Sequence, residues 1–220
     1  MQPTDHILDW DAVHPLPASN PTKIVCAGSN YREHCREMGR PVPEYPKIFL
    51  KPPSTLIADG DSIQLPPNVG QVDYEGELAV IIGRKTRNVS SPDVGKHILG
   101  YSILNDVTAR DIQKKDALYT RAKGFDTFCP LGPVIVSDLN PAELSITTTV
   151  NGEVRQNSHT SEMIFNVNTL VSYISSIMTL EPGDVISTGT PSGVGALNSG
   201  DTVSITIEGI GTLNNPVRDA

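Results

Sequence analysis

The sequence predicts an α+β fold that is mainly β, with the strands wrapped into one β-roll or β-sandwich, short helices and one longer amphipathic helix. Three patterns carry that expectation. Short apolar segments rich in β-branched residues recur between Gly and Pro punctuation. Asn151-Gly152 sits between two such segments, where both turn positions of a two-residue hairpin require positive φ. One stretch alone shows a sustained helical period: Ile164, Val167, Leu170, Val171, Ile174, Ile177 and Met178 recur at three- and four-residue steps.

Taken in order, residues 1–22 are polar and Pro-rich, with Pro3, Pro15, Pro17 and Pro21, and read as a lead-in that hugs the surface. Strands are then expected at 23–27, 48–50, 62–65, 77–82, 98–105, 134–136, 145–150, 184–187 and 203–207. Helical turns are expected at 31–38, 92–97 and 110–115. The long helix should be capped at Thr160 or Ser161 and stop at Glu181-Pro182-Gly183-Asp184. No repeat, low-complexity tract or linker divides residues 23–220, so they are read as a single catalytic domain.

The chain has 220 residues, 38% hydrophobic and 19% charged, with a net charge of -8. That balance argues against nucleic acid and anionic membrane surfaces as partners, since both select for basic patches. No apolar run approaches the roughly 20 residues that cross a bilayer. The N-terminus has neither the pattern of a signal peptide nor that of a transit peptide, and a cytoplasmic location is expected. Cys26, Cys35 and Cys129 are odd in number and lack close-pair spacing, which predicts ordinary reduced thiols.

The chemistry is concentrated in Val72-Asp73-Tyr74-Glu75-Gly76-Glu77, which leads into an apolar strand. Alternate strand residues share a face, so Glu75 and Glu77 point together. Two such charges beside a core segment call for a proton, a cationic side chain or a metal. Asp106, at the end of the strand expected over 98–105, is the natural third oxygen ligand for a divalent cation, although a turn or N-cap aspartate fits the same position. His34 and Glu37 lie three apart, so on a helical turn the carboxylate can fix one imidazole nitrogen and leave the other as a base. Spacing alone favours a solvated charged turn, with Arg32, Glu33, His34, Arg36 and Glu37 as one polar patch. Lys123, between small and aromatic neighbours, suits an enclosed site for a developing oxyanion or an exposed surface. The Gly-rich turn at Thr188-Gly189-Thr190-Pro191 offers amides and the Thr190 hydroxyl to a carboxylate, or simply connects two strands.

Together and in this order, Gly28-Ser29-Asn30-Tyr31 with His34 and Glu37, Phe49-Leu50-Lys51-Pro52, Glu75-Gly76-Glu77, Asn105 to Asp111, Ala122 to Asp126, and Thr188 to Pro191 with Gly193-Val194-Gly195 resemble the fumarylacetoacetate hydrolase family. The likeness runs from Lys23 onward and is strongest to the family's short acylpyruvate hydrolases and oxaloacetate decarboxylases, without the extra N-terminal domain of long members. It implies the family's mixed β-roll, usually a homodimer, with Mg²⁺ or Mn²⁺ held by Glu75, Glu77 and Asp106. It also implies a small oxo-acid substrate contacted by Arg110, Gln113, Thr190 and Lys51, with His34, Glu37 and Lys123 as catalytic residues. The implied activity is C–C hydrolysis of acylpyruvates or decarboxylation of oxaloacetate through pyruvate enolate. The segment from Asp111 to Pro130 is closer to relatives that isomerise or decarboxylate hydroxyheptadienedioate products, which is the alternative reaction. A structural ion such as Ca²⁺ in a non-enzymatic module is the reading from a third class.

Overall fold

A computed structural model describes residues 13–220; residues 1–12 of the expected lead-in lie outside the described residues. In chain order, β1 (Ile24–Gly28), α1 (Arg32–Glu37), β2 (Lys47–Lys51), β3 (Leu56–Ile57), β4 (Ile63–Leu65), β5 (Val72–Tyr74) and β6 (Gly76–Ile82) come first. Then follow β7 (Ile98–Asn105), β8 (Thr108–Ala109), α2 (Arg110–Asp116), α3 (Thr120–Lys123) and β9 (Cys129–Val136). The last third comprises β10 (Ser145–Val150), β11 (Glu153–His159), α4 (Val167–Ile177), β12 (Val185–Ser187), β13 (Gly195–Ala196), β14 (Thr202–Ile207) and β15 (Gly211–Asp219).

The strands form three sheets. A seven-stranded mixed sheet runs β2-β1-β12-β6-β7-β9-β3, a five-stranded sheet runs β11-β10-β14-β15-β4, and β13-β5-β8 make a small third sheet. Strand β6 is central and every residue in it is buried, which explains why Leu78-Ala79-Val80-Ile81-Ile82 is continuously apolar rather than alternating. Its two faces feed two cores. Leu78, Val80 and Ile82 join Val25, Ile103, Ile146, Ile205 and the inward side of α4, whereas Ala79 and Ile81 join Ile24, Cys26, Leu104, Leu131 and Val185. The described part of the lead-in packs on the second core through Ala18. Its Ala18 N–H donates to Leu131 O at 3.2 Å and Ser19 Oγ to Gly183 O at 2.6 Å.

Most expected elements are present, and their departures have local causes. The hairpin turn forms with Asn151 at φ 52° and Gly152 at φ 81°. The long helix starts later than expected: Thr160–Glu162 is a separate 3₁₀ turn, and Asn166 is the cap, its side chain accepting from Thr169 N at 2.9 Å. Strand β9 begins at Cys129, since Pro130, Gly132 and Pro133 interrupt the apolar pattern without breaking its pairing with β7. Strand β15 escapes the period-two pattern because two of its inward positions flank a buried Asn: Leu213, Asn215 and Val217 face in, and the Asn215 amide donates to Ala58 O and Asp61 O at 2.9 Å.

Candidate metal centre and active site

The site forms where one face of the central sheet turns from apolar to charged. Register pairs Val185 with Ile81, Ser187 with Ala79 and Glu77 with Leu104, so these residues share the face of the smaller core. Moving along it, Ile81 and Ala79 give way to Glu77, Leu104 to Asp106, and Val185 to Ser187. Glu75 falls at the break between β5 and β6 rather than inside a strand. Its backbone stays tied to the end of β7, because Asn105 Oδ1 accepts from Glu75 N and Glu75 O accepts from Asp106 N, each at 2.9 Å. Glu75, Glu77 and Asp106 are all buried, and one carboxylate oxygen from each lies within 4.8 Å of the others.

Burial of so many acids requires cations. Arg110 Nη2 donates to Glu75 Oε1 at 2.7 Å, its Nε to Asp73 Oδ2 at 2.7 Å and its Nη1 to Gln113 Oε1 at 2.7 Å. Lys123 Nζ, 2% exposed as a residue, donates to Glu75 Oε2 at 2.9 Å, Asp106 Oδ2 at 2.6 Å and Thr108 Oγ1 at 2.7 Å. It also sits 5.0 Å from the centre of the Phe49 ring. Lys51 Nζ holds Asp106 Oδ1 at 2.7 Å. Glu77 is the carboxylate with no cation: Ser187 Oγ and Gly189 N donate to its Oε2, and its Oε1 takes no hydrogen bond among the described residues.

These surroundings push the two glutamates apart. Burial alone would raise the Glu75 carboxyl, but the Lys123 and Arg110 charges outweigh it and hold Glu75 well below the usual carboxylate range. Burial, with the Asp106 and Glu75 charges added, pushes the Glu77 carboxyl well above that range. Burial would lower the Lys123 ammonium, yet Asp106 and Glu75 raise it, so Lys123 stays charged. Of the two glutamates, Glu77 is therefore the one that holds a proton more readily.

The imidazole reaches the site from α1. His34 is 5% exposed, and its Nδ1 lies 2.9 Å from Glu37 Oε2, while Glu37 Oε1 accepts from Gly193 N at 2.9 Å. With Nδ1 protonated toward the carboxylate, Nε2 is left as the basic nitrogen. The loop carrying Gly193 is itself fixed by Gln156. A register shift between Thr148 and Thr149 turns Gln156 inward from the otherwise mostly exposed strand β11. Its Nε2 donates to Thr190 Oγ1 at 2.8 Å and Pro191 O at 2.9 Å, and its Oε1 accepts from Gly76 N, between the two glutamates, at 3.0 Å. The Thr190 hydroxyl donates in turn to Gly76 O at 3.0 Å.

One cavity is lined by His34, Glu75, Glu77, Asp106, Arg110, Gln113, Lys123 and Thr190. Phe49 and Tyr119, packed edge to face with centroids 4.9 Å apart, also line it, as does Arg40. Lys51, expected among the substrate contacts, is elsewhere. It stands behind Asp106, 1% exposed, with its ammonium committed to Asp106, Phe128 O at 2.7 Å and Val107 O at 3.2 Å, so it positions the acid. Arg110 and Thr190 line the cavity with most of their donors already engaged by protein. Sequence reasoning passed over Asp73, which is 3% exposed and pairs with Arg110, although it extends the same alternation as Glu75 and Glu77. Ser187 and Gln156 carried no signal, because their roles depend on strand pairing distant in sequence, whereas the Gly189 amide of the Gly-rich turn does meet a carboxylate, that of Glu77.

The donor set fits a small hard dication. It consists of three buried carboxylates with converging oxygens, one of them lacking any cation partner. Residues 23–218 match the fumarylacetoacetate (FAA) hydrolase C-terminal family. The chain is 56% identical over 199 residues to protein MJ1656 of Methanocaldococcus jannaschii, covering 90% of this chain and 84% of that protein. It is 46% identical over 216 residues to oxaloacetate tautomerase YisK of Bacillus subtilis, covering 92% of this chain and 71% of YisK. The crystal structure of 2-hydroxyhepta-2,4-diene-1,7-dioate isomerase from Mycobacterium marinum superposes with a TM-score of 0.87 at 52% identity, covering 93% of this chain and 77% of that one. With a matched segment that runs from just before β1 into β15, a shared fold and identities of 46% to 56%, the chain belongs to the fumarylacetoacetate hydrolase family.

Proposed function

We propose that this protein is a divalent-cation-dependent enzyme that interconverts the keto and enol forms of small 2-oxo acids, oxaloacetate first among them. One observation carries the reading: a buried, oxygen-only ion site shares a cavity with an imidazole oriented by a carboxylate. The 46% identity to an oxaloacetate tautomerase supports the choice of substrate. Glu75, Glu77 and Asp106 would hold Mg²⁺ or Mn²⁺, which when bound supplies Lewis acidity toward the 2-oxo and carboxylate oxygens.

The chain's own residues account for the proton movement. His34 Nε2 takes a proton from C3 of the keto acid and returns it to the C2 oxygen, so no proton is gained or lost overall. Glu37 holds the Nδ1 proton and stabilises the transient imidazolium. Lys123 keeps a fixed positive charge in the cavity as the oxygen becomes negative, and its bonds to Asp106, Glu75 and Thr108 hold it there before the reaction begins. The same shuttle would serve isomerisation of a hydroxydienedioate, the activity named for the Mycobacterium marinum relative.

The His34–Glu37 pair also favours a second reading, C–C hydrolysis of acylpyruvates. There the imidazole would take a proton from water, hydroxide would add to the distal carbonyl, and the C–C bond would break to release pyruvate enolate. Oxaloacetate decarboxylation would yield that enolate with loss of CO₂ and no attacking water. Enol-oxaloacetate, followed by its ultraviolet absorbance, separates these outcomes when pyruvate is assayed in parallel. Accelerated decay without pyruvate, abolished by EDTA and restored by Mg²⁺ or Mn²⁺, is the expected result. Undiminished activity in excess EDTA would refute it.

A further inference from the structure

Every cation at the site except one is already committed to protein carboxylates. Arg110 is bound by Asp73 and Glu75, Lys123 by Glu75 and Asp106, and Lys51 by Asp106. Arg40 lines the same cavity and makes no ion pair or side-chain hydrogen bond among the described residues. The acids on the helix that precedes it are taken, Glu33 by Arg36 and Glu37 by His34 and Gly193. Its backbone is nonetheless well placed. Gly39, at φ +61°, ends α1 with a paired cap in which Arg40 N donates to Cys35 O at 2.8 Å and Gly39 N to Arg36 O at 3.1 Å. That cap fixes Arg40 relative to His34 on the same short helix.

We propose that Arg40 is the specificity residue for the second carboxylate of a dicarboxylic 2-oxo acid, held at the wall of the cavity that contains the ion site by the C-terminal cap of the helix that carries His34. A guanidinium with all its donors free, half-buried at the wall of a small cavity, pairs with a carboxylate and is left unpaired by an alkyl group. Phe49 and Tyr119, packed edge to face at the same cavity, add no cation. The assignment rests on the 2-oxo acid reading above, and its test reads binding, with a pyruvate-type product assayed alongside to exclude loss of CO₂ from the dicarboxylate during the titration.

Two 2-oxo acids that cannot enolise differ only in the group of interest: 3,3-dimethyl-2-oxosuccinate carries a carboxylate where 3,3-dimethyl-2-oxobutanoate carries a methyl. Calorimetric titration of the full chain in Mg²⁺ buffer should give at least about tenfold tighter binding of the dicarboxylate. Arg40→Ala should remove most of that preference while leaving monocarboxylate binding within about twofold, and Arg40→Lys should restore part of it. Circular dichroism of each variant checks folding. No preference in the unaltered protein, a preference unchanged in Arg40→Ala, equal losses for both acids, or binding of neither acid would each overturn the assignment. A preference that depends on Arg40, without any acceleration of oxaloacetate tautomerisation, would keep the assignment and defeat the proposed reaction instead.

Discussion

At the scale of single residues, the site depends on unequal treatment of similar groups. Glu75 and Glu77 are two positions apart, yet one is neutralised by Arg110 and Lys123 while the other faces only hydrogen-bond donors. His34 likewise differs from a surface histidine in having one nitrogen committed to Glu37 and the other turned to the cavity. Removing the imidazole should therefore lower kcat for oxaloacetate tautomerisation by about 10²–10⁴-fold, the usual range for a positioned general base, with little change in Mg²⁺ affinity. Steady-state kinetics and calorimetry on His34→Ala check this; an unaltered kcat would remove His34 from the mechanism. The Glu75–Glu77 and His34–Glu37 spacings were legible in the sequence because each is local, whereas Asp106 joins the glutamates from the end of another strand. Lys51 was misplaced because a Lys beside Phe49 looks the same in sequence whether it faces ligand or supports Asp106.

Elements carry the next level of control. Strand β11 reaches the site through a bulge, the 189–193 loop rests on Gln156, and the loop in turn holds Glu37 on α1. The weakest link is Gly193. It has φ +96°, and a Cβ there would stand 2.1 Å from Arg155 O, so a side chain is excluded both by conformation and by backbone contact. Gly193→Ala should shift the loop, release the Glu37 carboxylate and lower kcat by at least about tenfold through a misdirected His34. Parallel kinetics and thermal melts test it, and an enzyme with intact kcat would show that the loop does not orient the pair. This coupling could not be read from sequence, since the bulge at Thr148–Thr149 and the positive φ at Gly193 matter only once β11 lies against the loop. Local turn chemistry was far more visible, as Asn151-Gly152 demonstrates, while β15 was hidden by its polar Asn214-Asn215-Pro216 segment.

For the whole molecule, the buried acid without a cation couples ion binding to pH. The folded state raises the Glu77 carboxyl above its unfolded value, so the ion-free fold binds the extra proton and loses stability as pH rises from the ordinary carboxylate range through the raised one. A dication at the same oxygens displaces that proton and removes the penalty. Mg²⁺ should therefore raise the melting temperature more at pH 8 than at pH 5.5, with proton release on binding. Glu77→Gln should melt higher than the ion-free parent at pH 8 and no longer respond to Mg²⁺. Calorimetric melts with and without EDTA provide the check, and a Mg²⁺ response that is flat or larger at low pH would contradict the linkage.

All of this depends on three carboxylates, two of them neighbours in sequence and the third from another strand end, sharing one ion. Anomalous diffraction from crystals soaked in Mn²⁺ tests it most directly. The account predicts one strong peak per chain about 2.1 Å from an oxygen of each of Glu75, Glu77 and Asp106. A peak at other residues, or none while the protein still turns over oxaloacetate, would contradict it.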